Sequence, residues 1–164
     1  IFNNHCDRVR MANLAQTINV LQALILTDKD KMLLTPTYHV YDLYKVHQDA
    51  TMIPLKIKSK DYTLGNEKLT AINASASQDK AGNVTISIVN IDPLNAIDLQ
   101  LDMPGIQSLS LSAQVITSEK FTDHNTFDLP GKVKPAPFTG MKKVKESLSV
   151  KLPSKSVVVI RLTK

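Results

Sequence analysis

The stretch GNVTISIVNID, residues 82–92, indicates the fold class of this 164-residue chain. Val84, Ile86 and Ile88 alternate with small polar residues, so in an extended backbone the apolar side chains point to one face. A strand of this kind buries that face against a second layer and leaves polar side chains on the other. The alternation therefore predicts a half-buried strand of an antiparallel sheet.

The same period of two recurs over most of the chain after residue 50. Gly82 and Asn83 belong to a predicted turn, which joins the strand that begins at Val84 to the alternating segment before it. About seven short strands of this type predict an antiparallel β-sandwich, or jelly roll. Residues 119–146 are predicted to be a long loop. The other alternating segments are MIPLKIK (52–58), KLTAINASAS (68–77), AIDLQLDM (96–103), SLSLSAQVIT (108–117), SLSVKLP (147–153) and SVVVIRLT (156–163).

The first part of the chain follows a different pattern. Residues 6–17, CDRVRMANLAQT, carry apolar side chains at roughly helical spacing, and Asp7 suits the positive end of a helix dipole. Residues 20–26, VLQALIL, form a nearly continuous apolar run, which is typical of a strand covered on both faces. A loop is predicted over residues 28–34.

A second helix is predicted over residues 36–47. Thr35 is a suitable N-cap, and Pro36 occupies the favoured first helical position. The order helix–strand–helix is typical of a parallel α/β structure, but one strand cannot form a parallel sheet, so we expect its neighbours to lie on chain outside this sequence. The predicted domains are therefore residues 1–49, an α/β remnant, and residues 50–164, the sandwich.

Residues 11–27, MANLAQTINVLQALILT, carry no charge and raise the question of a membrane helix. A membrane-spanning helix needs about 20 mostly apolar residues, and polar residues interrupt this run, so we expect no membrane segment. The sequence begins at Ile1 without a basic leader, which favours an excised fragment over a processed start. The interrupting residues are Asn13, Gln16, Thr17, Asn19 and Gln22.

The formal net charge of +5, from 20 Lys and Arg against 15 Asp and Glu, is spread along the chain. The one cluster consists of Lys142, Lys143 and Lys145, with Phe138 as the only nearby aromatic residue. Nucleic-acid binding requires a basic face with interleaved aromatic side chains. We therefore expect a solvated loop here and no nucleic-acid partner.

No catalytic residue is expected within this chain. Glycosidases use two carboxylates a few ångströms apart. The three glutamates, Glu67, Glu119 and Glu146, lie in or beside loops and do not follow strand ends in a way that would pair them. Cys6 lacks a recognisable partner histidine for nucleophilic catalysis and is expected to be a buried or half-buried cysteine at the start of a helix.

No metal site or cofactor is expected either. His5 and Cys6 are adjacent, which is poor ligand geometry, and His39 and His47 are eight residues apart without a further ligand pair. A calcium site on the sandwich is an alternative, but solvent-facing acids in alternating strands explain the candidate residues without it. These candidates are Asp92, Asp98 and Asp102.

Two parts of the sequence resemble a known family. The segments CDRVRMANLAQTINVLQALILTD (6–28) and LTPTYHVYDLYKVHQDATMIPL (34–55) closely resemble the end of the catalytic barrel in alpha-L-arabinofuranosidases of glycoside hydrolase family 51. The segment NTFDLPGKVKP (125–135) is similar to a stretch of the C-terminal sandwich in the same enzymes. The resemblance covers essentially the whole chain, and the run Ala-Asn-x-Ala-Gln-x-x-Asn-Val is its most distinctive element.

The resemblance implies a layout. Residues 6–17, 20–26 and 36–47 would be the seventh helix, the eighth strand and the eighth helix of a (β/α)₈ barrel, and the jelly roll would begin near residue 50. Family members are retaining glycosidases with two catalytic glutamates on the fourth and seventh strands. Both would lie upstream of Ile1, so the resemblance assigns neither role to this chain.

The resemblance also implies a position for the sugar pocket. Active sites of such barrels lie at the carboxyl ends of the strands. The chain from Thr27 to Thr35 is therefore expected to face the pocket, with Thr27 and Asp28 at its rim, and Tyr38 and His39 are expected to reach the rim or else only to pack and cap. Some relatives place a side-chain amide in this loop, whereas this sequence has DKDKMLLT.

The expected partner is an arabinose-containing plant polysaccharide or oligosaccharide, bound through the full enzyme, and a homo-oligomer is a further possibility. Export to the periplasm or the extracellular space is suspected from the plant-polysaccharide substrate. The alternatives are a free-standing carbohydrate-binding module or an oligomerisation module. The absence of Trp argues against the binding module, because exposed aromatic platforms are the usual sugar contact. We further expect an unprotected edge on the sandwich, and residues 1–48 packed irregularly or against it.

Overall fold

The computed structural model describes all residues, from Ile1 to Lys164. One α-helix, α1 (Pro36–Tyr44), is present, together with short 3-10 helices at Phe2–His5, Lys45–His47 and Ile106–Ser108. The chain otherwise forms short strands. These are β1 (Ile25–Asp28), β2 (Lys31–Leu34), β3 (Thr51–Ile53), β4 (Asp61–Leu64), β5 (Glu67–Thr70), β6 (Ile72–Gln78), β7 (Val84–Asn90), β8 (Ile97–Asp102), β9 (Ser110–Ile116), β10 (Ala136–Pro137), β11 (Met141–Val144), β12 (Ser147–Leu152) and β13 (Ser156–Thr163).

Two antiparallel sheets form the sandwich. The larger sheet has six strands in the order β10-β9-β13-β7-β6-β3, and the smaller has three in the order β11-β12-β8. Strands β1 and β2 form a separate hairpin, as do β4 and β5. Every pairing between these strands is antiparallel, and the predicted jelly-roll-like sandwich is confirmed.

The core lies between the six-stranded and the three-stranded sheets. Alternate residues of β6, β7, β12 and β13 point into it, as the period of two requires. The predicted inward residues Ile86 and Ile88 of β7 are both buried. The cluster contains Ile72, Ala74, Ala76, Ile86, Ile88, Ile106, Val115, Phe138, Leu148, Val150, Leu152, Val158, Ile160 and Leu162.

The outer face of the six-stranded sheet is covered as well. On β6 and β7 this face carries small hydroxyl side chains, and all of them are buried. Helix α1 packs over β9 and β13 through Leu43, which joins Ile116, Val133 and Val159 in a second apolar cluster. The buried hydroxyl side chains are Ser75, Ser77, Thr85 and Ser87.

Helix α1 agrees with its prediction. Thr35 is extended and caps the helix, accepting a hydrogen bond from the amide of Tyr38 at 3.3 Å. Pro36 follows at the first helical position. A helix ending at Tyr44 continues as a 3-10 turn through Lys45–His47, so its extent matches the predicted 36–47. No helix of the structure has the length and apolar character needed to span a membrane.

The helix predicted over residues 6–17 is wrong. This segment is irregular, and only Val9 and Leu14 within it are even half-buried. An isolated helix of this length is marginal in water unless its apolar stripe packs on a neighbour. Here no neighbouring surface covers the stripe, so the helical spacing has no structural effect.

The strand predicted over residues 20–26 and the loop over 28–34 are also wrong in their bounds. Asn19 and Leu21 have positive φ angles of 57° and 53°, so the backbone bends there instead of extending, and Leu21 is 86% exposed. The extended structure begins only at β1, and the predicted loop contains β2. A β-hairpin therefore replaces the buried parallel strand.

Residues 119–146 are mostly irregular, as predicted for a loop, but they also contain β10 and β11. Strand β11 carries Lys142 and Lys143 and pairs with β12. Strand β8 has a partner only on its β12 side, so its other edge is unpaired. This agrees with the expected unprotected edge of the sandwich. The division into domains at residues 49 and 50 stays a prediction.

Candidate functional site

The β1–β2 hairpin carries the first two predicted rim residues. Thr27 and Asp28 lie at the end of β1, beside the turn formed by Lys29 and Asp30, and all four are exposed. Cross-strand pairing places Thr27 opposite Met32. These side chains therefore project from the hairpin tip into solvent.

Asn19 braces this tip from the side. Its amide group donates to the Thr27 hydroxyl at 2.8 Å, and its side-chain oxygen accepts from the Thr27 amide at 2.7 Å. The backbone adds two bonds, because Ile25 donates to the carbonyl of Thr17 and Asn19 donates to that of Ile25. The outer edge of β1 is thus paired with residues 17–19. Sequence reasoning noted Asn19 as a break in an apolar pattern and as part of the distinctive run at residues 12–20, but gave it no structural role.

Thr35 closes the base of the hairpin. Its hydroxyl lies 2.9 Å from the carbonyl oxygen of Ala23 and 3.1 Å from that of Leu24, and its amide donates to Leu24 at 3.0 Å. The same hydroxyl accepts from the first turn of α1. Thr35 therefore fixes the orientation of the hairpin base relative to the first turn of α1.

Tyr38 and His39 occupy the first turn of α1, and both are half-buried. Their rings meet edge to face, with centroids 5.7 Å apart. Burial lowers the pKa of His39, and the Asp42 carboxylate opposes that shift. The Tyr38–His39 pair lies at the hairpin base, whereas Thr27 and Asp28 lie at its tip. No hydrogen bond joins the two pairs, so they are two separate polar positions. The β1–β2 hairpin and the first turn of α1, residues 25–39, are called the hairpin ridge below.

His47 forms a second polar cluster that sequence reasoning missed. Its Nδ1 lies 2.7 Å from the Ser77 hydroxyl, and its Nε2 lies 2.6 Å from that of Ser87. The Tyr44 ring packs against the imidazole with centroids 5.6 Å apart, and burial raises the pKa of the Tyr44 hydroxyl. No carboxylate is hydrogen-bonded to this histidine. The cluster therefore joins the helix to the sheet and does not form a Ser-His-Asp triad.

An open groove of about 1210 Å³ runs beside the unpaired edge of β8. Tyr62 and Leu64 of the β4–β5 hairpin line one side, and residues 96–99 line the other. A smaller groove of about 430 Å³ lies between α1 and the outer face of the large sheet. Its charged residues are already engaged, since Asp42 pairs with Lys45 at 2.6 Å and Arg161 with Asp79 at 3.6 Å.

The other candidate residues that the sequence analysis considered lie on different elements. Glu67, Glu119 and Glu146 are all exposed, and the Glu146 carboxylate accepts a hydrogen bond from the amide of Gly105. Cys6 is exposed and starts no α-helix, so the expectation that it is a buried or half-buried helix-start residue is wrong. No group of three or more His, Cys, Asp or Glu side chains has the geometry of a metal site. Asp92, a calcium candidate, accepts hydrogen bonds from the amides of Leu94 and Asn95, and these bonds hold its pKa below the usual range.

A six-stranded and a three-stranded antiparallel sheet, with one helix over the outer face and a projecting hairpin, define a β-sandwich domain. Comparison with protein families identifies it further: residues 1–156 match the model of the alpha-L-arabinofuranosidase C-terminal domain. The chain belongs to that family. The predicted resemblance to family 51 alpha-L-arabinofuranosidases is confirmed.

Individual relatives agree with this assignment. An intracellular exo-alpha-L-arabinofuranosidase from Bacteroides ovatus is 40% identical over 163 residues, which is 99% of this chain and 32% of the relative. The crystal structure of a GH51 arabinofuranosidase from Xanthomonas axonopodis pv. citri superimposes with a TM-score of 0.92 and 40% identity, covering 99% of this chain and 33% of that one. A family 51 alpha-L-arabinofuranosidase from Bifidobacterium longum gives a TM-score of 0.85 at 26% identity, covering 96% and 31%. The chain thus spans about a third of the length of these relatives.

Proposed function

We propose that this chain is the non-catalytic C-terminal part of an enzyme that removes alpha-L-arabinofuranosyl residues from arabinose-containing polysaccharides or oligosaccharides. The observation that carries the proposal is the 40% identity, over 99% of the chain, to an exo-alpha-L-arabinofuranosidase. The exposed and separate glutamates support it, because a retaining glycosidase needs two carboxylates about 5 Å apart. The role of the chain is then to pack against a catalytic domain and support it.

The test compares two proteins in one assay. The full-length protein is expected to release arabinose from an aryl alpha-L-arabinofuranoside, and the 164-residue chain alone is expected to release none. Arabinose release by the isolated chain would place the catalytic carboxylates within it and overturn the proposal. Failure of the full-length protein on all arabinofuranosides would overturn the proposed substrate class.

We also propose that the hairpin ridge borders the sugar pocket of the whole enzyme, with Thr27 and Asp28 at the tip and Tyr38 and His39 at the base. The exposure of the tip and its bracing by Asn19 support this position, since a pocket rim needs polar side chains held in place. In the full-length enzyme, D28N is expected to raise KM by about fivefold with little change in kcat. As a control, D61N changes an exposed carboxylate on the β4–β5 hairpin and should leave KM close to that of the wild type. Equal kinetics for D28N and the wild type would remove Asp28 from the rim.

Self-association is a second candidate role, and the unpaired edge of β8 is the observation that favours it. Exposed strand edges template pairing with another chain. Light scattering over a range of concentrations on both the isolated chain and the full-length protein separates the possibilities. A dimer of both proteins supports native assembly through this domain, whereas a dimer of the isolated chain alone assigns the edge to a contact made inside the whole protein.

A further inference from the structure

Asn125 lies in the irregular segment between β9 and β10, 91 residues from its partner Leu34. Its side chain is only 5% exposed, and its amide nitrogen donates to the carbonyl of Leu34 at 2.7 Å and to that of Val133 at 2.9 Å. Its side-chain oxygen accepts from the amide of Val133 at 2.7 Å. Both amide hydrogens and the side-chain oxygen of Asn125 are therefore hydrogen-bonded.

The bond to Leu34 falls at the last residue of β2, directly before the helix cap Thr35. Leu34 stands opposite Ile25, whose amide and carbonyl bond outward to residues 17–19. In an antiparallel pair, the opposite residue then also directs its carbonyl outward. Asn125 supplies the donor for that carbonyl, so both edges of the hairpin base are satisfied.

The segment that holds Asn125 is itself fixed to the sandwich. Val133 is buried in the apolar cluster with Leu43 of α1 and with Ile116 and Val159 of the large sheet. The amide and carbonyl of Val133 both bond to Asn125. The sheet therefore positions Val133, Val133 positions Asn125, and Asn125 positions Leu34.

We propose that Asn125 is a positioning residue that sets the angle of the β1–β2 hairpin and of the first turn of α1 relative to the sandwich. If the hairpin ridge borders the sugar pocket, as proposed above, Asn125 sets the position of the four rim residues relative to the substrate. Asn125 itself does not contact the substrate. The inference about hairpin position rests only on the contacts in this chain, and its kinetic consequence rests on the proposed function.

The test uses N125D and a matched control elsewhere in the chain. Asp keeps the shape of Asn but replaces the donor by an oxygen that faces the carbonyl of Leu34. Asn90 is the matching residue: it is 1% exposed, donates to the carbonyls of Asn95 and Pro153, and accepts from the amide of Asp92. N90D therefore removes two equivalent donated hydrogen bonds at a site that lies away from the hairpin.

Hydrogen exchange of the 164-residue chain is the first measurement. N125D is expected to accelerate exchange of the amides in residues 25–39 by about tenfold or more and to leave those of β12 nearly unchanged. N90D is expected to leave the amides of residues 25–39 nearly unchanged. Equal acceleration in both variants would assign Asn125 a general structural role and overturn the inference. If N125D does not fold, the wild-type chain decides: the amides of Thr35 and Val133 should share one opening free energy under mild denaturant, and different values would overturn the inference.

Kinetics of the full-length enzyme is the second measurement. N125D is expected to raise KM for an aryl alpha-L-arabinofuranoside by about fivefold, with N90D close to the wild type. Faster exchange in the hairpin with unchanged KM would support the positioning role of Asn125. It would overturn the proposal that the hairpin borders the sugar pocket. Unchanged exchange in the hairpin overturns the inference whatever KM does. An inactive wild-type enzyme would count against the proposed function and leave the exchange result standing.

Discussion

His47 shows at the level of one residue how a polar contact replaces an apolar one in this fold. The imidazole reaches across from the end of the helix to two hydroxyls on neighbouring strands, Ser77 on β6 and Ser87 on β7. In the neutral ring, one nitrogen donates and the other accepts, and a serine can play either part. The outer face of the sheet can therefore be polar and still be buried, because the histidine satisfies its hydroxyls.

Acidification is expected to weaken this contact. Burial lowers the pKa of His47 below 6.5, its value in the unfolded chain, so in mild acid the unfolded chain binds more protons than the folded one. Stability should therefore fall as the pH drops from neutral through the folded-state pKa. Burial lowers the pKa of His39 as well, which gives a contribution of the same sign.

Urea unfolding at about pH 7.5 and about pH 5.5 tests this dependence. The wild type should lose stability at the lower pH, and H47Q should lose distinctly less. The matched control H124Q changes an exposed histidine and should retain the wild-type difference. An unchanged pH dependence in H47Q would assign the effect to other groups. The carboxyls of Asp79 and Asp92, whose pKa values hydrogen bonds hold below the usual range, act only in stronger acid.

At neutral pH, the same residue can be tested by truncation. H47A should cost about 2 kcal/mol of unfolding free energy, because it leaves the buried hydroxyls of Ser77 and Ser87 without their partner. The triple variant H47A/S77A/S87A removes the orphaned hydroxyls together with the imidazole and should recover part of that loss. No recovery in the triple variant would mean that the lost packing of the imidazole, and not the hydroxyls, determines the cost.

At the scale of an element, the Thr35 side chain links β2 to α1 from within their junction. Thr35 caps the helix and braces the hairpin base with one hydroxyl. T35A should therefore cost about 1–2 kcal/mol, and the loss should appear both in the helical circular-dichroism signal and in urea unfolding. T35S retains the hydroxyl and serves as the control. If T35S proves as unstable as T35A, the methyl group and not the hydroxyl holds the junction.

The strands of the sandwich were predictable because their signal is local. Residues 156–163 alternate, and β13 has the same bounds; residues 96–103 alternate, and β8 lies within them. Burial of one face selects that alternation directly, whatever the rest of the chain does. The N-cap at Thr35 was predictable for the same reason, since Thr-Pro acts over one turn.

The β1–β2 hairpin and the irregular backbone of residues 6–17 were not predictable in this way. The β1–β2 turn has Lys29 at a positive φ of 55°, and it lacks the Asn-Gly or Asp-Gly pair that usually marks such turns. Residues 6–17 have helical spacing, but that spacing becomes a helix only when a neighbour covers its apolar stripe. Asn125 bonds to Leu34, a residue 91 positions away, and local sequence patterns do not predict contacts between residues so far apart in the chain. The four predicted rim residues were located, but their role stays a prediction.

At the scale of the whole molecule, stability depends on both faces of the six-stranded sheet. Ile160 and Val159 are neighbours on β13, yet Ile160 points into the sandwich core and Val159 into the cluster under α1. I160A should cost about 3 kcal/mol of unfolding free energy, since the site is fully buried and closely packed. V159A should cost less, about 2 kcal/mol, and should mainly release the helix.

Urea unfolding followed by two probes separates these effects. For I160A, the helical signal and the signal of a probe in the sandwich should both shift to lower denaturant together. For V159A, the helical signal should be lost first. Coincident transitions in V159A would show that helix and sandwich form one cooperative unit, contrary to this expectation.

The central place of β13 constrains when the protein can fold during synthesis. This strand separates β9 and β10 on one side from β7, β6 and β3 on the other, so without it the large sheet is two fragments with open edges. Translation adds residues at about 5–20 per second, and domains complete their folds as the chain emerges. We therefore expect β7 and β9 to keep one edge unpaired until residues 156–163 have left the ribosome. A chaperone that shields strand edges during that interval should raise the yield of folded protein, and truncation before Ser156 should leave none.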